Sequence, residues 1–234
     1  MSKLAALDKL LELYYQFKYH KNPVLFQRLQ DVQAWQKQRM QRTHATQFAE
    51  KHNVLMAEYF LNRLYGGPDF DALAGQIARL LKYAHKAEKI IPENAIKTGT
   101  SGVSLAILAV QLDEQVAIQL LQDYPENMPL NDEMMRLTYL KLDQGEARLQ
   151  QLNMLDELGK NLDKYMRSFV VYTAFKMCKG AAQKYSFQIM YEFMQDGFVA
   201  MKPLKSAEKF VREFTAVERQ IIDKVHRGDP QPFQ

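Results

Sequence analysis

Apolar positions recur at steps of three and four along nearly the whole chain. Leu4, Leu7, Leu10/Leu11, Tyr14 and Phe17 give a first helix that Asn22-Pro23 ends. Leu25, Leu29, Val32 and Trp35 or Gln36 predict a second, glutamine-rich helix reaching His44 or somewhat beyond and fading near Lys51–Asn53. A third covers Leu55–Tyr65 and stops at the breaker Gly66-Gly67-Pro68. Asp69 or Asp71 can cap the next helix, whose buried stripe is Leu73, Ile77, Leu80/Leu81 and Ala84; Pro92 starts or kinks the segment after it.

Beyond Pro92, Ala95, Gly99, Gly102, Ala106 and Ala109 fall at alternating steps of four and three. As one helix, they form a smooth face that another backbone or a flat ligand can approach closely, and the expectation is packing against a helix of this chain or of a second copy. Otherwise Lys97–Gly102 is a loop of phosphate-friendly composition, but it lacks the Gly-Lys-Ser/Thr ending of a Walker loop. Asn131-Asp132-Glu133 starts a helix running to about Gln144, with Gly145 as a joint, and a long helix extends from Glu146 to Met177. Gly180 separates it from an aromatic segment, Tyr185, Phe187, Tyr191 and Phe193. A last helix covers about Ser206–His226 with Phe210, Phe214, Val217 and Ile221 inward. Gly228-Asp229-Pro230 and Pro232 form a tail that cannot continue it. The expected architecture is all-α, a single-domain bundle of about seven to nine helices spanning 1–234.

Composition agrees. With 234 residues, 47% hydrophobic and 25% charged, the chain is a normal globular sequence, and wholesale disorder is excluded. Ten glycines and eight prolines are too few for a fold of many short strands. The net charge of +4 is dispersed among interleaved acidic residues, which argues for a solvated mixed surface and against nucleic-acid binding. The single cysteine, Cys178, cannot close an intrachain disulfide, and Asp8 and Glu12 break any signal-like run, so a cytoplasmic location is expected. Val103–Leu112 and Phe169–Cys178 are the most apolar stretches. Each is about half the ~20 residues of a membrane span, so no transmembrane segment is expected.

Gln33-Ala34-Trp35-Gln36-Lys37-Gln38-Arg39-Met40-Gln41-Arg42-Thr43-His44 resembles a QxWQxxRxxxTH pattern. Tyr59-Phe60-Leu61-Asn62-Arg63-Leu64-Tyr65-Gly66 is similar to a divergent FFLEELYG segment. With the aromatic-rich helix, Gly197-Phe198 and the terminal Asp229-Pro230, these segments resemble the bacterial family named after the FFLEELY motif. That resemblance implies a helical bacterial protein and no particular reaction. The motif's two adjacent glutamates are Asn62 and Arg63 here, so carboxylate chemistry based on them is absent.

Gln36, Arg39 and Thr43 continue the apolar stripe of the second helix, which carries polar groups inward. A buried guanidinium needs a counter-charge, and Glu58 or Asp69 is the expected carboxylate of an internal clamp. The same segment offers a ligand-binding set, Trp35, Arg39, Thr43 and His44 with Tyr65, suited to an anion or polar headgroup. His44, His85 and Glu88 form an alternative metal set for iron or haem, although no second Glu-x-x-His copy exists. Cys178, after an aromatic run, is expected to be inert packing, and no nucleophile elbow is present. Met190, Met194 and Met201 among the C-terminal aromatics suggest an adaptable apolar groove. The leading expectation is a helical binding module for a protein partner or apolar small molecule, with homo-oligomerisation in view and no cofactor. The alternative is a metal- or haem-dependent oxidoreductase with histidine ligands.

Overall fold

The computed structural model describes residues 2–66, 70–87, 93–166 and 168–234. Gly67, Pro68, Asp69, Glu88 and Pro92 lie outside them, as do the side chains of His85 and Ala95. The described residues are helical and contain no strand. The helices are α1 (Ala5–Tyr15), α2 (Pro23–Thr43), α3 (Ala45–Ala49), α4 (Val54–Tyr59), α5 (Phe70–Ala87) and α6 (Glu93–Asp123). After them come α7 (Asp132–Leu142), α8 (Gly145–Met166), α9 (Phe169–Met177), α10 (Lys179–Lys184), α11 (Gln188–Met201) and α12 (Ala207–His226). All-α is therefore right, but seven to nine helices is an undercount. Short breaks split segments whose periodicity reads as continuous: His44 divides α2 from α3, and the stretch from Glu146 to Met177 is two helices, α9 beginning afresh at the Ser168 cap. A π-helical turn, Phe60–Leu64, continues α4 through most of the FFLEELYG-like segment.

Side-chain oxygens start the long helices where expected. Asn22 accepts from the Leu25 amide at 3.1 Å with Pro23 in the first turn of α2, and Asn131 accepts from Met134 at 2.9 Å to open α7. The start of α12 is capped from two sides. Ser206 Oγ accepts from the Lys209 amide at 3.1 Å, while Asp163 of α8 takes the Ala207 and Glu208 amides at 2.8 and 3.0 Å. A carboxylate on exposed helix amides also meets the positive end of the helix dipole, so this cap fixes α12 along α8. Further along the pair, Asp156 accepts from Thr215 and Arg219, both at 2.7 Å.

The main core gathers α1, α2, α6, α7 and α12 around Val32, Val116, Ala117 and Met135, all fully buried. Arg28, buried in α2, donates to the carbonyls of Pro125, Glu126 and Met128. It thereby ties down the turn between α6 and α7. A second cluster joins Met56, Met201, Leu204 and Phe210 where α4, α11 and α12 meet.

The segment 93–123 is one helix, α6, and not a loop. Yet a Cβ built on Gly99 or Gly102 meets nothing within 4 Å, so the expected close packing on those glycines is absent among the described residues. Close approach occurs instead at Gly159 of α8, where a Cβ would lie 3.0 Å from Val211 Cβ. The residues from Ile96 to Asp123 also form a helix long and apolar enough, by length and composition, to cross a membrane, although 44% of the most apolar window is buried in the fold.

The two glycine environments predict opposite outcomes. Gly102→Ala should raise stability by about 0.5–1 kcal/mol, because it removes backbone freedom from a helix interior with room for the methyl. Gly159→Leu should lower it by about 1–3 kcal/mol, because α12 must move away. Thermal or urea denaturation of both variants checks the pair.

Candidate functional site

α2 and α12 cross where Arg39 of one faces Glu218 of the other. Glu218 lies four residues after Phe214 and three before Ile221, so helix geometry places it on the same buried face. Arg39 donates from Nη1 to Glu218 Oε1 and from Nη2 to Oε2 at 2.8 Å, a bidentate pair. Its Nε and Nη2 also donate to Gln36 Oε1 at 3.2 and 2.9 Å. His44, at the end of α2, donates Nε2–H to Glu218 Oε1 at 2.6 Å. Its ring stacks on Phe214 at 4.3 Å and on Phe48 at 5.4 Å, and its Nδ1 is buried without a partner. Burial alone would push the Glu218 acid up. The Arg39 charge and the bonds from His44 and Arg39 outweigh it and hold the pKa down at about 2.

The internal clamp is therefore present, but neither expected carboxylate supplies it. Glu58 is exposed on α4, Asp69 lies outside the described residues, and the counter-charge comes from Glu218. An acidic residue on the apolar stripe of the last helix was the available signal.

The other expected site residues are also engaged within the chain. Thr43 donates to the Arg39 carbonyl at 3.1 Å, and Trp35 Nε1 donates to Asp132 at 3.1 Å with its ring packed on Phe233. Tyr65 donates to Asp113 Oδ2 at 2.6 Å, linking the π-helical turn to α6. Asp113 is almost fully buried; burial raises its pKa to about 6, against the lowering effects of Arg148, the Tyr65 hydrogen bond and Arg39. Tyr139 joins this neighbourhood from α7, with Arg148 of α8 lying 4.5 Å from its ring centroid. Periodicity does not single out Asp113, Tyr139 or Arg148, because their roles depend on which helices meet.

Of the alternative metal set, Glu88 and the His85 side chain lie outside the described residues, and His44 Nε2 already faces Glu218. Among the described residues no group of three His, Cys, Asp or Glu side chains is placed to share a metal ion. Cys178 is exposed and not buried packing, which corrects that expectation: α9 leaves its C-terminal end uncovered.

Arg39→Leu should lower stability by about 3–5 kcal/mol by stranding Glu218, and adding Glu218→Leu should recover much of that loss in a double-mutant cycle. The pH dependence separates the two buried acids. Glu218 sits below its ordinary value of 4.5, so its contribution is complete above that pH and is lost as pH falls towards about 2, by up to roughly 3 kcal/mol. Asp113 has the opposite sign. Its contribution is complete below its ordinary value of 3.8 and is lost as pH rises through about 6. Asp113→Asn should therefore remove a decline in stability between about pH 4 and pH 6 that urea titration of the unsubstituted chain reveals.

Comparison with curated proteins and with solved structures gives no match. A family model described as a domain of unknown function (DUF8198) matches residues 16–232, a span that contains Arg39, His44, Asp113, Arg148 and Glu218. The chain thus belongs to the family defined by the domain of unknown function DUF8198.

Proposed function

We propose that this chain is a non-enzymatic helical module of the bacterial cytoplasm, a divergent relative of the FFLEELY-motif proteins, that binds a protein partner through α9 and the adjoining face of α11. The observation that carries this reading is the exposure of α9. Phe169, Val170 and Met177 are 80%, 75% and 80% exposed, and the helix has no buried residue. It is nonetheless held in place from one side: Phe175 stacks on Tyr191 at 4.4 Å and lies 4.8 Å from Phe198, with Tyr172 at 5.2 Å from Phe198. An anchored helix with aromatic and methionine side chains directed into water has the composition of an interface core.

Charge supports an acidic partner. Ser168–Tyr191 contains Lys176, Lys179 and Lys184 and no aspartate or glutamate, and of the two acids of α11 Asp196 is paired with Arg63, which leaves Glu192 against three lysines. Two copies of such a face would oppose like charges, whereas an acidic rim around an apolar centre would complement it. The donors of Trp35, Arg39, Thr43, His44 and Tyr65 are taken up inside the fold, which supports this face over the α2 segment as the docking surface. The metal- or haem-dependent oxidoreductase reading has weaker support, because His44 Nε2 is engaged by Glu218; metal analysis and a visible absorption spectrum test it.

A photo-crosslinking amino acid at position 169 in living cells is expected to give one discrete heterologous adduct. Val170→Asp with Met177→Asp should abolish that adduct, and the same probe at exposed Glu213 of α12 should give none. No adduct at 169, or adducts only between copies of this chain, would overturn the proposal.

A further inference from the structure

The outer face of α9 carries a group whose chemistry can be changed in place, the thioether of Met177. Val170 lies seven residues before it, two helical turns back on the same side, so Met177 closes the C-terminal end of the apolar face. Side chains on a helix lean towards its N-terminus, and the residues one turn back from Met177 are the short Thr173 and Ala174. Gly180 and Ala181, which follow, are shorter still, and a Cβ built on Gly180 meets nothing within 4 Å. Lys176 folds its ammonium back to 4.8 Å from the Tyr172 ring centroid. These neighbours leave the Met177 side chain uncovered, which accounts for its 80% exposure.

The other methionines are better sheltered. Met40, Met56, Met134, Met135 and Met201 are buried, and Met128 and Met194 are 39% exposed, about half the value of Met177. A peroxide oxidises a thioether only where it reaches the sulfur, so exposure ranks these sites. Cys178, beside Met177, is also exposed, and its thiol donates to the Ala174 carbonyl at 3.4 Å. A thiol reacts as its thiolate, whereas a thioether needs no deprotonation.

We propose that oxidation of Met177 to its sulfoxide by a peroxide switches the α9 surface off, an inference that rests on the reading of α9 as a docking face. The sulfur attacks one peroxide oxygen, and the S–O bond forms as the O–O bond breaks. Sulfur loses two electrons, the peroxide gains them, and its second oxygen leaves as water. A reductase dithiol reverses the change: it returns two electrons as it closes to a disulfide, and the oxygen again leaves as water. The thioether is flexible and apolar and fills gaps in an apolar partner surface. The sulfoxide puts a strong hydrogen-bond acceptor at the same point, and docking must strip its water. The lysines keep their charge, so the switch acts on the apolar contact alone.

Peptide mass spectrometry of the full chain in dilute hydrogen peroxide tests the chemistry. Met177 should oxidise about twofold faster than Met128 or Met194 and at least about tenfold faster than buried Met135; equal rates overturn the proposal. In cells, brief peroxide treatment should reduce the adduct from a photo-crosslinker at position 169 several-fold. Met177→Gln, polar, neutral and of similar length, should reduce it without peroxide. The adduct of Met177→Leu should be the same before and after peroxide, which separates Met177 from oxidation elsewhere in the cell. Cys178→Ser should respond as the parent chain does. A response that persists in Met177→Leu, or that disappears in Cys178→Ser, overturns the proposal. No adduct before peroxide overturns the docking reading and this switch with it, whereas an adduct that survives oxidation of Met177 overturns the switch alone.

Discussion

A guanidinium carried into a protein interior needs a carboxylate within reach, and Arg39 finds one 179 residues further along the chain, in Glu218. The contact is bidentate, braced by Gln36 and shared with His44, so one carboxylate answers two donors from α2. Desolvating these charges costs more than a simple apolar pair would, which makes the pair a weak source of net stability. Its effect is on arrangement: any register of α12 that moves Glu218 away from Arg39 leaves two buried charges unanswered. The rest of the C-terminal architecture depends on that register. With Glu218 in place, Asp163 reaches the first amides of α12, Asp156 reaches Thr215 and Arg219, and Val211 comes down on Gly159.

This constraint also bears on where binding is feasible. The α2 segment has the residue types of a ligand site, but its donors answer Glu218, Gln36, Asp132 and a backbone carbonyl. Side chains already paired inside a fold have little left to offer a visitor. Among the described residues, His44 Nδ1, the Tyr139 hydroxyl and Arg148 Nε are buried without a partner, and the outer face of α9 leaves apolar side chains in solvent. The two differ in kind. The buried polar atoms lack partners, whereas α9 lacks cover for apolar area.

Much of the fold is legible in the chain because it obeys local rules. Apolar spacing of three and four marks the helices, and Asn22, Asn131 and Ser206 mark the starts of α2, α7 and α12 through side-chain oxygens that satisfy free amides. The inward turn of Gln36 and Arg39 is also readable, since they continue the stripe of Leu25, Leu29 and Val32 and are buried, whereas Thr43, read on the same stripe, is only half-buried. Periodicity gives too low a helix number because breaks such as those at His44 and Ser168 interrupt the helix without interrupting the apolar spacing.

Local pattern establishes that Arg39 requires a counter-charge; only the tertiary structure decides that Glu218 provides it. Glu58 and Asp69 are nearer in sequence, but proximity along a chain of rigid helices is not proximity in space, and α4 turns Glu58 to solvent. The glycines divide in the same way. Spacing places Gly99 and Gly102 on one helical face, yet a close contact needs a second helix at the right distance, and α12 lies instead against Gly159. Periodicity determines which residues share a face, and packing of the assembled helices determines what that face meets.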